Sequence, residues 1–457
     1  MRGLVGLGVL GFVGVLLGSC IDRSLASVDT AVVPNGESKV ISRAGVRDVD
    51  VLFVIDDTSA MADKQAALAG ALGTYMRTLE GMKGGLPNVH IGVVSASVAA
   101  GAAGPAACTG DGELLSQARV EGCAPPDGNY LSDVAQPDGT RARNYTGSLE
   151  DAFVCMAQLA PGSCPFAQPL EAMKRALDGH LRANDGFQRP DTFLQIVLVS
   201  TQDDCSASND AIFDPSSAGL GPLSPFRCTQ AGVTCDGVTV GSRSKAYGSC
   251  QPLESSTYLY PSSHYIDFLN GVSQDPDIVA LSTVAGDPTP FAVNVGATGA
   301  PVLQPSCMAG LGPATPAVRL SALTEQLGRG RFVSACEGQP ETALAQVDQL
   351  IRSGTQEPCV AGALVLDPSD GTPGVRPECT VIDEVTGADG STQDTILPRC
   401  KMLSETQVDT QSEAPCWYAF VSADACPETE THIGVSVFRS ATTSSDQIKT
   451  RATCVQQ

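Results

Sequence analysis

The chain has 457 residues, a formal net charge of −22 from 28 Lys plus Arg against 50 Asp plus Glu, and 17 cysteines. Such acidity excludes a nucleic-acid partner, because phosphate backbones are held by Lys and Arg through counterion release and no local basic stripe offsets the imbalance. A hydrophobic content of 42% is too apolar for general disorder, and the length admits two or three domains. The cysteines form no tight Cys-x-x-Cys pair and no Cys/His cluster, so an oxidising compartment explains them better than zinc does. Their odd number leaves one to account for.

Met1 and Arg2 precede an uncharged run of Gly, Leu, Val and Phe over residues 3–17, followed by Gly18-Ser19-Cys20. The run is short and Gly-rich for a lasting membrane span and small residues follow it, which reads as an export signal. Leu17-Gly18-Ser19-Cys20 resembles the bacterial lipobox, in which the cysteine is diacylated and becomes the mature N-terminus. The resemblance implies a lipoprotein signal peptide over residues 1–19, lipidation of Cys20 and attachment to a membrane through that lipid, against the rival reading of an ordinary cleaved signal. Setting Cys20 apart leaves sixteen cysteines, enough for eight bridges. Ile21 rather than Asp follows Cys20, which favours the outer membrane of a bacterial envelope.

Residues 20–48 are polar, without sustained period and with a turn signal at Pro34-Asn35-Gly36, and read as a tether. Residues 49–56 form an apolar run suited to a strand buried on both faces. Leu68, Leu72, Tyr75, Met76 and Leu79 recur at helical spacing, and residues 90–95 give a second strand. Residues 98–147 are Gly-, Pro- and Asp-rich with Cys108 and Cys123, and read as a surface insertion. Ser148-Leu149-Glu150-Asp151 resembles a capping box opening a helix, and residues 169–177 lie in another. Residues 193–200 are a strand, and 205–255 a second Cys-bearing insertion. A helix through 265–269, a strand at 278–284, a helix at 317–327, a strand at 331–335 and a helix at 341–351 complete the region.

The alternation predicts an α/β fold: an open, mostly parallel sheet with helices on both faces and a functional crevice beyond the carboxyl ends of its strands. Residues 353–457 lose the helical period and read as a small β-rich, disulfide-bonded unit. Trp417 belongs in its core, with an exposed ligand platform as the competing role. Among the cysteines, Cys155 with Cys164 and Cys228 with Cys235 are plausible local bridges, and Cys426 and Cys454 belong to the C-terminal unit; connectivity is not deducible from sequence.

The order of elements over residues 49–352, with Val51-Leu52-Phe53-Val54-Ile55-Asp56-Asp57-Thr58-Ser59-Ala60-Met61, resembles the von Willebrand factor A (vWA) domain. In that family the first strand ends in Asp-x-Ser-x-Ser, which joins a Thr and an Asp of later loops in holding Mg²⁺ or Mn²⁺ through oxygen ligands, with one position open to a partner's carboxylate. The matching residues here are Asp56, Thr58 and Ala60. Ala60 brings no oxygen, Thr201 stands where the later Asp is expected, and Asp203 and Asp204 are the acids that could reach in from farther along. The resemblance therefore implies a degenerate metal site at Asp56, Thr58, Asp203 and Asp204. The competing reading makes these solvated acids at element ends, with Asp57 or Thr58 capping the helix that holds Met61.

None of the four histidines sits beside a plausible nucleophile, and no Gly-x-Ser-x-Gly, Walker or His-Glu-x-x-His motif is present. The expectation is a non-enzymatic, extracytoplasmic lipoprotein without a cofactor, whose sheet-edge loops bind a protein or other extracellular partner. The second reading is an adhesion module that retains Mg²⁺ or Ca²⁺. A hydrolase is the third, and the sequence offers it no catalytic cluster.

Overall fold

The computed structural model describes residues 36–41 and 48–456, apart from 83–85, 137, 190–191, 274–277, 356–358, 361–362, 367–372, 387–391, 406, 410–413, 424–425, 427–428 and 439–446. The expected export signal and the expected lipidation site, Cys20, lie outside the described residues. Among the described residues no helix is long and apolar enough to cross a membrane.

The apolar run of residues 49–56 is strand β1 (Asp48–Ile55), and every side chain from Val49 to Ile55 is buried. Val51, Phe53 and Ile55 point into one core, and Leu52 and Val54 into another, which is why the run is continuous rather than alternating. The same sheet contains β2 (Asn88–Ser95), β3 (Leu131–Ala135), β4 (Arg141–Arg143), β5 (Phe193–Val199), β6 (Val279–Ala285) and β7 (Gly330–Ser334). Their spatial order is β7-β6-β5-β1-β2-β3-β4. The five strands from β7 to β2 are parallel, while β3 and β4 add antiparallel at one edge.

Helices α1 (Gln65–Glu80), α2 (Leu149–Ala157) and α7 (Pro340–Thr355) bury Leu72, Phe153 and Val347 against the first face. Phe53 sits in the middle of it, with the Tyr75 ring edge-on at 5.4 Å and the Phe153 ring at 4.7 Å. Helices α3 (Pro169–Leu177), α5 (Ser262–Gly271) and α6 (Val318–Gln326) bury Leu170, Leu269 and Leu320 on the second face. Each large apolar side chain so buried contributes roughly 1.5–3 kcal/mol. The short α4 (Phe226–Gly232) belongs to the insertion after β5. The predicted cap of α2 is present: Ser148 Oγ accepts from the Asp151 N–H at 3.0 Å.

The structure departs from the sequence reading in four places. Strands β3 and β4 arise inside residues 98–147, read as a surface insertion. They lack a β-branched apolar run because polar contacts hold the hairpin: fully buried Asp133 receives the guanidinium groups of Arg141 and Arg143 and the Tyr145 hydroxyl. Second, Gly36–Ile41, inside the expected tether, pairs antiparallel with Gln447–Val455. The partner lies some 410 residues away, so no local pattern announces the pairing. Third, a further insertion follows β6. Its hairpin of Phe291–Val295 and Pro301–Leu303 pairs with Lys245–Tyr247 of the insertion after β5.

The fourth concerns the bridges. Sixteen cysteines form eight disulfides, as their number requires: Cys108–Cys164, Cys123–Cys155, Cys205–Cys228, Cys235–Cys250, Cys307–Cys336, Cys359–Cys426, Cys379–Cys454 and Cys400–Cys416. The local pairs Cys155 with Cys164 and Cys228 with Cys235 do not form. Cys235 instead stands directly opposite Cys250 on an adjacent strand, and Cys228, on α4, is brought to the loop that leaves β5.

The C-terminal unit is β-rich, as expected. Gln447–Val455 lies between Gly36–Ile41 and Cys379–Thr386, with Thr392–Ile396 beyond, and Cys416–Val421 pairs with Ile433–Phe438. Trp417 is 3% exposed and packs in the core with Val381, Val435 and Val437, and the Arg399 guanidinium lies 4.7 Å from its ring centre. Three of the bridges staple this unit, and none links it to the α/β region.

Candidate binding site at the carboxyl edge of the sheet

Chain direction reverses around β1: the connections lead to β2 on one side, and β5 lies on the other. In open α/β sheets the crevice beyond the strand ends at such a switch point is where ligands bind. Two loops meet there, residues 56–60 from β1 and 200–206 from β5.

Asp56 closes β1 and is fully buried. Its Oδ1 accepts the Thr58 N–H at 2.8 Å, and its Oδ2 accepts the Ser200 hydroxyl at 3.0 Å and the Thr201 N–H at 3.3 Å. Burial pushes its carboxyl above the usual range, against the downward pull of those donors. Thr58, 1% exposed, accepts the Gln202 side-chain amide on Oγ1 at 3.0 Å. Asp56 and Thr58 are thus joined across the crevice by one loop, Ser200 to Gln202.

Asp57 turns to the other side. Its Oδ1 accepts the Ser97 hydroxyl at 2.8 Å and its Oδ2 the Arg119 guanidinium at 2.6 Å, while its carbonyl accepts the Gly162 N–H. Gly162 suits this close approach, since a Cβ there would lie 3.0 Å from the Asp57 carbonyl oxygen and 3.1 Å from Oδ2, tighter than an ordinary contact. Neither Asp57 nor Thr58 caps the turn Ser59–Met61 through its side chain. Their oxygens are taken by Ser97, Arg119 and Gln202.

Asp203 and Asp204 face helix ends. Asp203 accepts the N–H groups of Arg319 and Leu320 at 3.0–3.2 Å, satisfying the first turn of α6. Burial pushes its carboxyl up to about 6, while the Arg319 and Leu320 donors pull the other way. Asp204, 1% exposed, accepts the Leu170 N–H at the start of α3, the Ser206 N–H and hydroxyl, and the Arg319 guanidinium.

Mg²⁺ takes a near-octahedral set of oxygens and Ca²⁺ six to eight, with carboxylates among them. The side chains here do not converge to offer such a set. Of the four residues that the resemblance nominates, Asp56 and Thr58 come together and already bond to Thr201, Ser200 and Gln202; Asp203 and Asp204 are directed at α6 and α3, and Ala60 offers no side-chain oxygen. Among the described residues no three His, Cys, Asp or Glu side chains are grouped as a metal site would need.

Ser97, Arg119, Ser200 and Gln202 are site residues that sequence reasoning did not single out. Ser200 and Gln202 flank Thr201 in the strand-end loop, and that neighbourhood is the signal the sequence offers for them. Arg119 sits in an insertion with no pattern that would have found it.

Two hollows flank the 56–60 loop. One, of about 560 Å³, is polar and lies between Asp57, Ser97, Arg119 and residues 107–118, beside the Cys108–Cys164 bridge. The other, of about 370 Å³, is mainly apolar and lies between Ala60, Thr201, the Cys205–Cys228 bridge and the 301–305 hairpin arm. Each is walled by an insertion that a disulfide fastens to the sheet edge.

No family model matches this chain, and no curated protein matches it. Solved structures similar to it include the pilus adhesin SpaC of Lactobacillus rhamnosus GG in an open conformation, at 10% identity over 91% of this chain and 40% of that one, with a TM-score of 0.31. A von Willebrand factor type A structure from Catenulispora acidiphila is similar at 10% identity over 93% of this chain and 65% of that one, TM-score 0.28. The pilus adhesin RrgA of Streptococcus pneumoniae is similar at 9% identity over 93% and 58%, TM-score 0.28. The chain thus spans between 40% and 65% of the length of these proteins. The α/β assignment rests on the strand order and helix placement above.

Proposed function

We propose that this chain is a non-enzymatic binding protein of the bacterial cell envelope, with a vWA-like α/β domain that engages a protein partner through the loops at the carboxyl edge of its sheet, without a divalent ion. The observation that supports it is the pair of hollows, each fastened by a disulfide, on either side of the 56–60 loop at the switch point. Insertions held rigidly at that edge present a preformed surface, which lowers the ordering cost of association. The strand order β7-β6-β5-β1-β2-β3-β4, with the first strand central, is compatible with the vWA-like reading. The same reading includes a lipid on Cys20, extracytoplasmic residence with the outer membrane favoured, and no nucleic-acid partner.

Site-specific photo-crosslinking tests the binding face. A photoreactive residue at Ser59, which is exposed between the hollows, should give a discrete adduct on intact cells that excess purified protein competes away. The same residue at Glu80, exposed at the far end of α1, should give none. Equal adducts from both positions would overturn the assignment of the face. For the anchor, Cys20→Ser should abolish fatty-acyl labelling and release the protein from membranes.

A further inference from the structure

We infer that the side-chain amide of Gln202 is the polar anchor of the crevice, linking Asp56 and Thr58 to a bound partner, and that the group it takes is an amide, from an Asn or Gln side chain or from a peptide bond. This rests on the protein-binding reading and names the chemistry of that face.

A chain of hydrogen bonds fixes how the amide points. The Thr58 hydroxyl bonds to the Asp56 carboxylate, which takes its hydrogen, so Oγ1 of Thr58 is left as an acceptor, and Gln202 Nε2 donates to it at 3.0 Å. One N–H of the amide is thereby used, and Oε1 is turned away from Thr58. Oε1 has no hydrogen-bond partner among the described residues, yet it is not one of the buried atoms sealed from solvent. Gln202 itself is half-buried and lines the hollow of about 370 Å³ beside Ala60. It therefore presents an acceptor and a second N–H donor in one plane, a pattern that another amide matches with two hydrogen bonds.

A carboxylate does not fit. It brings no hydrogen to Oε1, and the charged residues lining the hollow are Asp203 and Asp204, with no Lys or Arg to attract an anion. An amide facing an amide thus stands in for the ion facing a carboxylate that the vWA resemblance implies. Phe226 and Leu303, in the same lining, keep water from the bound pair, which strengthens its hydrogen bonds.

The loop is held without the Gln202 side chain. The Gln202 N–H donates to Ser200 Oγ at 3.1 Å, and the Gln202 carbonyl accepts the Ser200 hydroxyl at 2.8 Å. Gln202→Met keeps the length of the side chain and removes both polar atoms.

The experiment selects random heptapeptides displayed on phage against the purified protein in millimolar Mg²⁺, then titrates synthetic copies of the enriched sequences by calorimetry. The expected result is peptides whose affinity falls at least fivefold for Gln202→Met and is the same in EDTA as in Mg²⁺. A side-chain source shows as a shared Asn or Gln whose change to Asp weakens binding at least fivefold; a peptide-bond source shows as the same loss on N-methylation of one bond, with no shared side chain. Enrichment of no peptide, equal affinity for Gln202→Met, or a shared Asp or Glu with binding that needs Mg²⁺ would each overturn the inference. Near-ultraviolet circular dichroism of Gln202→Met, expected to match wild type, separates loss of the amide from loss of the loop. On cells, a Ser59 adduct at wild-type yield in Gln202→Met would overturn the amide anchor alone, whereas no adduct in wild type would overturn the binding face and the anchor with it.

Discussion

The guanidinium of Arg319, near the start of α6, lies 3.2 Å from the Asp204 carboxylate beyond β5, with the two side chains 1% and 0% exposed. Asp204 also accepts the Leu170 N–H of α3, so one buried ion pair fastens the amino ends of two helices to the loop that forms the crevice. Arg319 Nη2 completes the junction by donating to the Tyr260 carbonyl at 2.9 Å.

Breaking this pair from one side strands a buried charge. Asp204→Ala should cost about 3–5 kcal/mol in chemical denaturation. The double variant Arg319→Met with Asp204→Asn, which removes both charges and keeps a capping oxygen, should be less destabilised than Asp204→Ala. A double variant weaker than the single one would show that the charge is not what the junction depends on.

The Asp57 loop passes close to position 162. Gly162→Ala should cost about 1–3 kcal/mol, because the new methyl group crowds the Asp57 carbonyl and carboxylate. Gly219→Ala, where a Cβ meets nothing within 4 Å, is the control and should change stability by less than about 0.5 kcal/mol.

The Cys108–Cys164 bridge closes a 56-residue separation. Replacing both cysteines by serine should lower stability by about 4 kcal/mol on the chain-entropy relation. Limited proteolysis should then cut the segment between Cys108 and Leu131 earlier than in wild type.

Acid should favour the folded state through Asp203. Its folded pKa of about 6 exceeds the ordinary 3.8, so between those values the native state holds a proton that the unfolded chain has released. That contribution is complete below pH 3.8 and is lost as pH rises through 6. Asp203→Asn keeps an acceptor for the first turn of α6 and removes the titration, so the variant's stability should gain on wild type between pH 4 and 7. Denaturation midpoints across that range check it, and a constant difference would contradict it.

Much of the α/β region is legible in the sequence because both of its determinants are local. Residues 49–56 are continuously apolar because β1 has a core on each face, and Ser148 with Asp151 marks the start of α2 by side-chain chemistry alone. Strands β3 and β4 escape notice because ion pairs around Asp133 replace apolar alternation, and the pairing of residues 36–41 escapes because its partner is at the other end of the chain. At the site, the strand-end rule points to the crevice where Asp56 and Thr58 meet the Ser200–Gln202 loop. The roles of Asp203 and Asp204 were hidden, since which helix N-terminus a carboxylate meets depends on how α3 and α6 pack, and no spacing encodes that.

The carboxylates of the crevice are committed to internal hydrogen bonds and helix ends. Melting the purified protein in EDTA and in millimolar Mg²⁺, Mn²⁺ or Ca²⁺ tests it most directly, because an ion that binds only the folded state raises its melting temperature. The expected result is the same melting temperature in all four conditions. A rise of several degrees with any of the three ions, lost in Asp56→Ala, would contradict the claim and restore the strand-end residues as metal ligands.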